Sequence, residues 1–315
     1  MPKVVIVGSG SVGTTLAYTL QITGVATEIV LIDSNHELAL GQVMDMNHGL
    51  PFVPPVHIYA GGYPDCKEAD VIVITAGARQ KPEETRLDLV DRNAQICRSI
   101  VDSIIPYTSE ALLLVVTNPV DIMTYVVVKH SGLPPRQVIG SGTVLDSARF
   151  RYLLGQHCNI DTHNVHAYVI GEHGDSEVPV WSLANIAGMR LADYCATNGY
   201  GCDQSKLDEI FLQTRDAAYH IIERKGFTYY AVAAGLNRII EAILRDQSTV
   251  LSVSSLARDY YGIDDVYLSI PTVVSGKGVE RQVRLQLSSQ EMEGLQHSAD
   301  VLKKTIRQID LSVTS

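Results

Sequence analysis

The first 33 residues constrain the fold more than any other stretch of this 315-residue chain. Lys3-Val4-Val5-Ile6-Val7 is an apolar run of strand length, and it leads into Gly8-Ser9-Gly10-Ser11-Val12-Gly13, three glycines in the spacing G-x-G-x-x-G. Val12 to Thr23 follows as a helical stretch, and Glu28-Ile29-Val30-Leu31-Ile32 is a second strand that ends at Asp33. Strand, glycine turn, helix and strand make a βαβ unit. Both strands are apolar at nearly every position, so both faces of their sheet must be covered.

More strands of the same kind are expected at Val71–Ile74, Leu112–Val116 and Val138–Ile139, with helical patterns between them. From Arg86 to Ile105 the apolar positions Leu87, Val90, Ala94, Cys97, Val101 and Ile104 recur in steps of three and four, which predicts a long helix with one buried stripe. The preceding Arg79-Gln80-Lys81-Pro82-Glu83-Glu84-Thr85 is polar and holds a helix breaker, so an exposed, mobile loop is expected. After Gly142 the pattern changes to long helices and short alternating strands, including Val266–Val274 and Val279–Leu287 as an antiparallel pair across Ser275-Gly276-Lys277-Gly278. The fold class is therefore α/β: a doubly wound parallel Rossmann sheet over residues 1–142, then a mixed α+β domain over residues 143–315. Ser288 to Glu291 reads as a capping box that starts a closing helix, with Met292, Leu295, Ala299, Leu302, Ile306 and Ile309 on one face.

Composition narrows the classes of function. With 46% hydrophobic and 19% charged residues the chain can bury a large core, and no apolar run approaches the roughly 20 residues that cross a bilayer. No basic segment followed by an apolar stretch marks a secretory leader, so a soluble cytoplasmic protein is expected. A net charge of −10 argues against general attraction to nucleic acid or anionic membrane, so an anionic ligand must be caught by local arginines or backbone amides. The five cysteines (Cys66, Cys97, Cys158, Cys195, Cys202) are irregularly spaced and leave an odd thiol. That pattern fits packing residues in a reducing cytosol, with no disulfide framework and no metal site.

The glycine turn points to a dinucleotide. Gly8 permits the tight turn, Gly10 lets the backbone approach a pyrophosphate, and Gly13 allows close helix–sheet packing, while Val12 lies in the first helical turn, whose free N–H groups face the anion. Asp33, twenty residues past Gly13, suits the ribose hydroxyls of NAD. A 2′-phosphate would meet it with a repulsion of up to about 4 kcal/mol at about 4 Å in an effective dielectric near 20, so NAD is expected over NADP. The glycines alone would also admit FAD.

A second group of residues carries proton chemistry. His173 lies in Gly171-Glu172-His173-Gly174-Asp175 at the end of the strand-like run Val165–Ile170, and Asp146 and Arg149 are three apart on a helix in Leu145-Asp146-Ser147-Ala148-Arg149. Alone, the pair reads as an intrahelical salt bridge and the histidine as one of ten. Together with the glycine motif, with Thr117-Asn118-Pro119-Val120-Asp121 and with the loop ending at Arg86, they make the whole chain resemble the lactate/malate dehydrogenase family, in particular its bacterial L-lactate dehydrogenases.

The resemblance implies that His173 is the acid–base residue, Asp146 its orienting partner, Arg149 the anchor of the substrate carboxylate and Arg86 the cation that polarises the reacting carbonyl. Asn118 would lie beside nicotinamide and substrate. Malate dehydrogenases resemble a pattern with arginine where this chain has Gln80 before Lys81-Pro82, so pyruvate and L-lactate are implied as substrates. Thr228 matches the position that closes a small pocket around the substrate methyl. Arg151 and His166 match positions that in bacterial allosteric relatives bind the phosphates of fructose 1,6-bisphosphate between subunits, and the family implies a homotetramer serving glycolysis and fermentation. Malate dehydrogenase, a broader 2-hydroxy acid dehydrogenase, and an NAD-binding regulatory protein without catalysis are the competing readings.

Overall fold

The computed structural model describes residues 2–78 and 86–309. The expected loop at residues 79–85 lies outside the described residues. In chain order the first half runs β1 Lys3–Val7, α1 Ser11–Thr23, β2 Glu28–Ile32, α2 His36–His48, β3 His57–Ala60, β4 Val71–Ile74, α3 Arg86–Ile104, β5 Leu112–Val115, α4 Val120–Ser131 and β6 Val138–Gly140. These six strands are parallel, in the order β3-β2-β1-β4-β5-β6. Alternate side chains feed two cores, as the two-residue period of a strand requires. Val5, Val7, Val30, Ile72, Leu113 and Val115 pack against the α3 stripe of Val90, Ala94, Cys97 and Val101. Their neighbours Val4, Ile6, Ile29, Val73 and Leu114 face the other way, towards Leu16 and Leu20 of α1. Truncating one of these fully buried leucines would cost about 2–5 kcal/mol.

The second half runs α5 Val144–His157, β7 Val165–His166, β8 Val169–Ile170, β9 Val178–Pro179, β10 Asn185–Ile186, β11 Met189–Arg190, α6 Leu191–Asn198, α7 Gln204–Lys225, α8 Tyr230–Leu244, β12 Thr249–Leu256, β13 Tyr267–Ser275, β14 Gly278–Gln282 and α9 Ser289–Gln308. Strands β12, β13 and β14 are antiparallel, and Ser254 of β12 pairs with Gly140 of β6, so one nine-stranded sheet runs through both halves. Helix α8 returns to cover the first half, placing Leu236, Ile239, Ile240 and Ile243 in the core beside α1. The capping box forms as expected: the Ser288 amide donates to Glu291 Oε2 at 2.8 Å and the Glu291 amide to Ser288 Oγ at 3.3 Å.

Three local expectations are corrected. The run Val165–Ile170 is two short strands in different sheets, Val165–His166 paired with β10 and Val169–Ile170 with β9, and the Ser147 hydroxyl accepts the Val169 amide at 2.9 Å. Strand β14 stops at Gln282 rather than Leu287, since Tyr260 accepts the Leu285 amide and the Tyr261 hydroxyl donates to the Leu285 carbonyl. Cys195 and Cys202 are joined by a disulfide: Gly199, at φ 77°, ends α6 and turns the chain so that the two Cα atoms come within 6.1 Å. Cys66, Cys97 and Cys158 are buried free thiols, in keeping with a packing role. Among the described residues no helix is long and apolar enough to cross a membrane.

Candidate active site

The glycine turn leaves β1 and enters α1 with Gly10 as its N-cap. Gly8 has φ 114°, and a Cβ there would come within 2.7 Å of the Ala76 amide nitrogen, while one on Gly13 would lie 1.9 Å from the Gly8 carbonyl oxygen. Only glycine fits either place. A Cβ on Gly10 would meet nothing within 4 Å, so the backbone there borders open space where a ligand can approach. Val12 is half-buried in the first helical turn, against the α1-side core. Asp33, at the end of β2, accepts the Ser9 amide at 2.6 Å through Oδ2 and the Asn35 amide at 2.9 Å through Oδ1. Gly8, Gly10, Asp33, Thr75 and Gly77 line a cavity of about 770 Å³ that α3 closes on its far side with Ile96 and Ile100.

Helix α5 places Asp146 and Arg149 one turn apart on a common side. Arg149 Nη1 donates to Asp146 Oδ1 at 2.7 Å, and His173 Nδ1 lies 2.6 Å from Asp146 Oδ2. A buried carboxylate thus joins a guanidinium to an imidazole, and Nδ1 of that ring is occupied, leaving Nε2 as the other face. The backbone of His173 is pinned as well: its amide donates at 2.8 Å to Asp121 Oδ2, whose other oxygen accepts the Ser254 hydroxyl at 2.6 Å. Imidazole, guanidinium, two carboxylates and a hydroxyl therefore converge from the β8–β9 connection, α5, α4 and β12.

The electrostatics follow from this packing. Burial opposes charge on Asp146, but the His173 ring and the Arg149 guanidinium overcome it and hold the carboxyl below its ordinary value. Burial likewise disfavours the imidazolium, yet the carboxylates of Asp146, Asp121 and Glu177 raise His173 to about 9. Burial pushes Asp121 up to about 6 despite the hydrogen bonds from Ser254 and the His173 amide.

The other expected residues fall in different places. Asn118 is exposed beyond β5, and its carbonyl accepts from Asn93 Nδ2 at 2.8 Å. Thr228 is half-buried in the connection between α7 and α8, and no hydrogen bond among the described residues joins it to the His173 cluster. Arg151 is turned away from Arg149: its Nε donates to the Val165 carbonyl at 2.7 Å, beside the exposed His166. Gln80 and the side chain of Arg86 lie outside the described residues, although Arg86 is the first residue of α3.

Residues 2–140 match the family model of the lactate/malate dehydrogenase NAD binding domain, and residues 143–311 match that of the lactate/malate dehydrogenase alpha/beta C-terminal domain. The chain belongs to the lactate/malate dehydrogenase family. It is 53% identical over 311 residues to an L-lactate dehydrogenase of Thermoanaerobacter sp. (strain X514), covering 99% of this chain and 100% of that one. It is 52% identical to the L-lactate dehydrogenase of Acetivibrio thermocellus, over 98% of both chains. Among solved structures it resembles the minor L-lactate dehydrogenase of Enterococcus mundtii, with a TM-score of 0.96 and 38% identity over 99% of both chains.

As a lactate/malate dehydrogenase the chain carries an NAD-binding domain, and its cavity suits that cofactor. The backbone is open at Gly10, a carboxylate lies at the end of β2, and the buried Ser9 Oγ has no hydrogen-bond partner among the described residues. The sequence alone does not single out three supporting residues of this family member. Asn93 bridges two loops, accepting the Ala78 amide at 2.7 Å while bonding the Asn118 carbonyl. Asp121 closes the Thr117–Asp121 motif, which is the signal that could have found it. Glu177, four residues past His173, is buried with its carboxyl near that ring.

Proposed function

We propose that this protein is an NAD-dependent L-lactate dehydrogenase, interconverting pyruvate plus NADH with L-lactate plus NAD. The observation that carries the reading is the Asp146 carboxylate shared between His173 Nδ1 at 2.6 Å and Arg149 Nη1 at 2.7 Å. NAD, when bound, supplies the hydride acceptor and, reduced, the hydride donor. Gly8, Gly10, Val12, Gly13 and Asp33 would hold its pyrophosphate and ribose, and Asn118 would border the nicotinamide.

His173 presents Nε2 to the substrate oxygen. In the reductive direction it is protonated at neutral pH, being raised to about 9, and donates its proton to the oxygen at C2. In the oxidative direction the neutral ring takes the hydroxyl proton. Asp146 fixes the tautomer and stabilises the imidazolium. Arg149 grips the substrate carboxylate with a planar fork, and its bond to Asp146 sets the distance between substrate and ring. Arg86 would stabilise charge developing on the carbonyl oxygen. Thr228 would bound a small methyl pocket, and Gln80 offers no cation to a second substrate carboxylate, whose burial unpaired would cost several kcal/mol.

The reading extends to control and assembly. Arg151, held beside His166 by the Val165 carbonyl, leaves its terminal guanidinium nitrogens without a partner among the described residues, and we assign this pair to the phosphates of fructose 1,6-bisphosphate. Exposed Leu212, Tyr219 and Ile222 along α7 favour subunit contacts, in keeping with a cytoplasmic homotetramer of fermentative glycolysis. We place the division of labour at residue 143, cofactor before it and catalysis and assembly after it.

The test is a substrate panel followed by NADH absorbance: pyruvate, oxaloacetate and branched 2-oxo acids, with NADH or NADPH, with and without the sugar bisphosphate. The reading expects pyruvate with NADH to have the highest kcat/KM and the bisphosphate to lower KM. A higher kcat/KM for oxaloacetate would make the protein a malate dehydrogenase, and no turnover of any would leave an NAD-binding protein without catalysis.

A further inference from the structure

The roles above leave one buried acid of the cluster unused. Glu177 lies in the turn between β8 and β9, where its amide donates to the Gly174 carbonyl at 3.2 Å. It is 7% exposed, and its Oε1 is buried with no hydrogen-bond partner among the described residues. A carboxyl that braces a fold has its oxygens satisfied, as Glu291 does in accepting from Ser182 and Ser288. Glu177 makes no such bonds among the described residues. Instead, acceptor atoms of Glu177, Asp146 and His173 all lie within 4.8 Å of one another.

We infer that Glu177 is a positioning residue for proton transfer: as it ionises, its charge holds the proton on His173 and widens the pH range over which the imidazolium is present. The inference rests on His173 being the acid–base residue only for its catalytic consequence. The groups facing this pair come from every side. Helix α5 contributes Asp146 and Arg149, α7 contributes Arg215, which is paired with Asp216 at 2.9 Å, and α4 contributes Asp121 against the His173 backbone. Arg149 pairs with Asp146 and Arg215 with Asp216, and among the described residues neither forms an ion pair with Glu177.

The signs agree with the geometry. Burial first, and then the Asp146 carboxylate, raise Glu177 to about 8 against the pull of His173, Arg149 and Arg215. Below that pH Glu177 is neutral, with Asp146 bonded to the ring and Asp121 to the His173 backbone. As pH rises the second carboxylate appears beside the ring, and the imidazolium loses its proton later than it would without it.

Two measurements on the full-length protein test this. The His173 ring is titrated by NMR in the unaltered protein and in Glu177→Gln, and the pH profile of kcat/KM for pyruvate reduction is recorded for both. The NMR midpoint should fall by about one pH unit in Glu177→Gln, with the alkaline limb of the profile moving down beside it, and Glu177→Asp should recover most of the shift. An unmoved NMR midpoint overturns the inference whatever the kinetics show. A lowered midpoint with a stationary limb upholds the action of Glu177 on His173 and contradicts the role of His173 in proton transfer. Should Glu177→Gln not fold, carbon-13 labelling of the glutamate carboxyls in the unaltered protein decides: one must titrate near pH 8, and all of them titrating in the ordinary carboxylate range overturns the inference.

Discussion

Asp146 Oδ2 lies 2.6 Å from Nδ1 of His173, and the same carboxylate bonds Arg149 through its other oxygen at 2.7 Å. One buried group therefore sets both the tautomer of the imidazole and its distance from the guanidinium. Asp146→Asn keeps the shape but removes the charge and presents an amide to the ring. We expect kcat/KM for pyruvate to fall about 10²- to 10⁴-fold, with NADH affinity, measured by fluorescence quenching, unchanged.

Arg149→Lys retains a positive charge but loses the planar fork. Two charge-assisted hydrogen bonds to the substrate carboxylate are replaced by one point contact, so the loss should be about 1.5–3 kcal/mol, or roughly 10- to 150-fold, and should appear chiefly in the KM for pyruvate. An unchanged KM would mean that the carboxylate binds elsewhere.

Stability should decline with rising pH. His173 is raised from 6.5 to about 9, so its contribution is fully present below pH 6.5 and is lost as pH climbs through about 9. Asp121, raised from 3.8 to about 6, and Glu177, raised from 4.5 to about 8, act in the same direction, because each binds its proton more tightly in the folded state. Asp146, held below its ordinary value, opposes them only in acid. Calorimetric scans should show Tm falling between about pH 6.5 and 9, more steeply in the unaltered protein than in His173→Asn; equal slopes would contradict the assignment.

Gln80→Arg should turn the preference from pyruvate towards oxaloacetate by supplying a cation for the second carboxylate. We expect the ratio of the two kcat/KM values to move by at least about tenfold, a modest part of the several kcal/mol at stake in burying an unpaired charge. A ratio that stays put would remove Gln80 from specificity.

The parallel sheet was legible because its strands are apolar at nearly every position, which only a two-sided core tolerates, and because the glycine spacing leaves little choice of turn at Gly8 and Gly13. His173, Asp146 and Arg149 were legible as motifs, and the structure adds that a single carboxylate joins them. What the sequence did not show depends on hydrogen bonds formed across long separations. The Ser147 hydroxyl takes the Val169 amide from 22 residues away, Ser254 reaches Asp121 across 133, and Glu177 is distinguished by a buried oxygen with no partner among the described residues. The Cys195–Cys202 pair was hidden for another reason: counting thiols ignores the left-handed turn at Gly199 that brings the two together.

The most direct test of the account is single-turnover reduction of pyruvate by prebound NADH in His173→Gln, which keeps the size of the ring's polar edge and removes the transferable proton. The account predicts a hydride-transfer rate about 10²- to 10⁴-fold below that of the unaltered protein, with NADH still bound. A rate within a few-fold of the unaltered protein would contradict it.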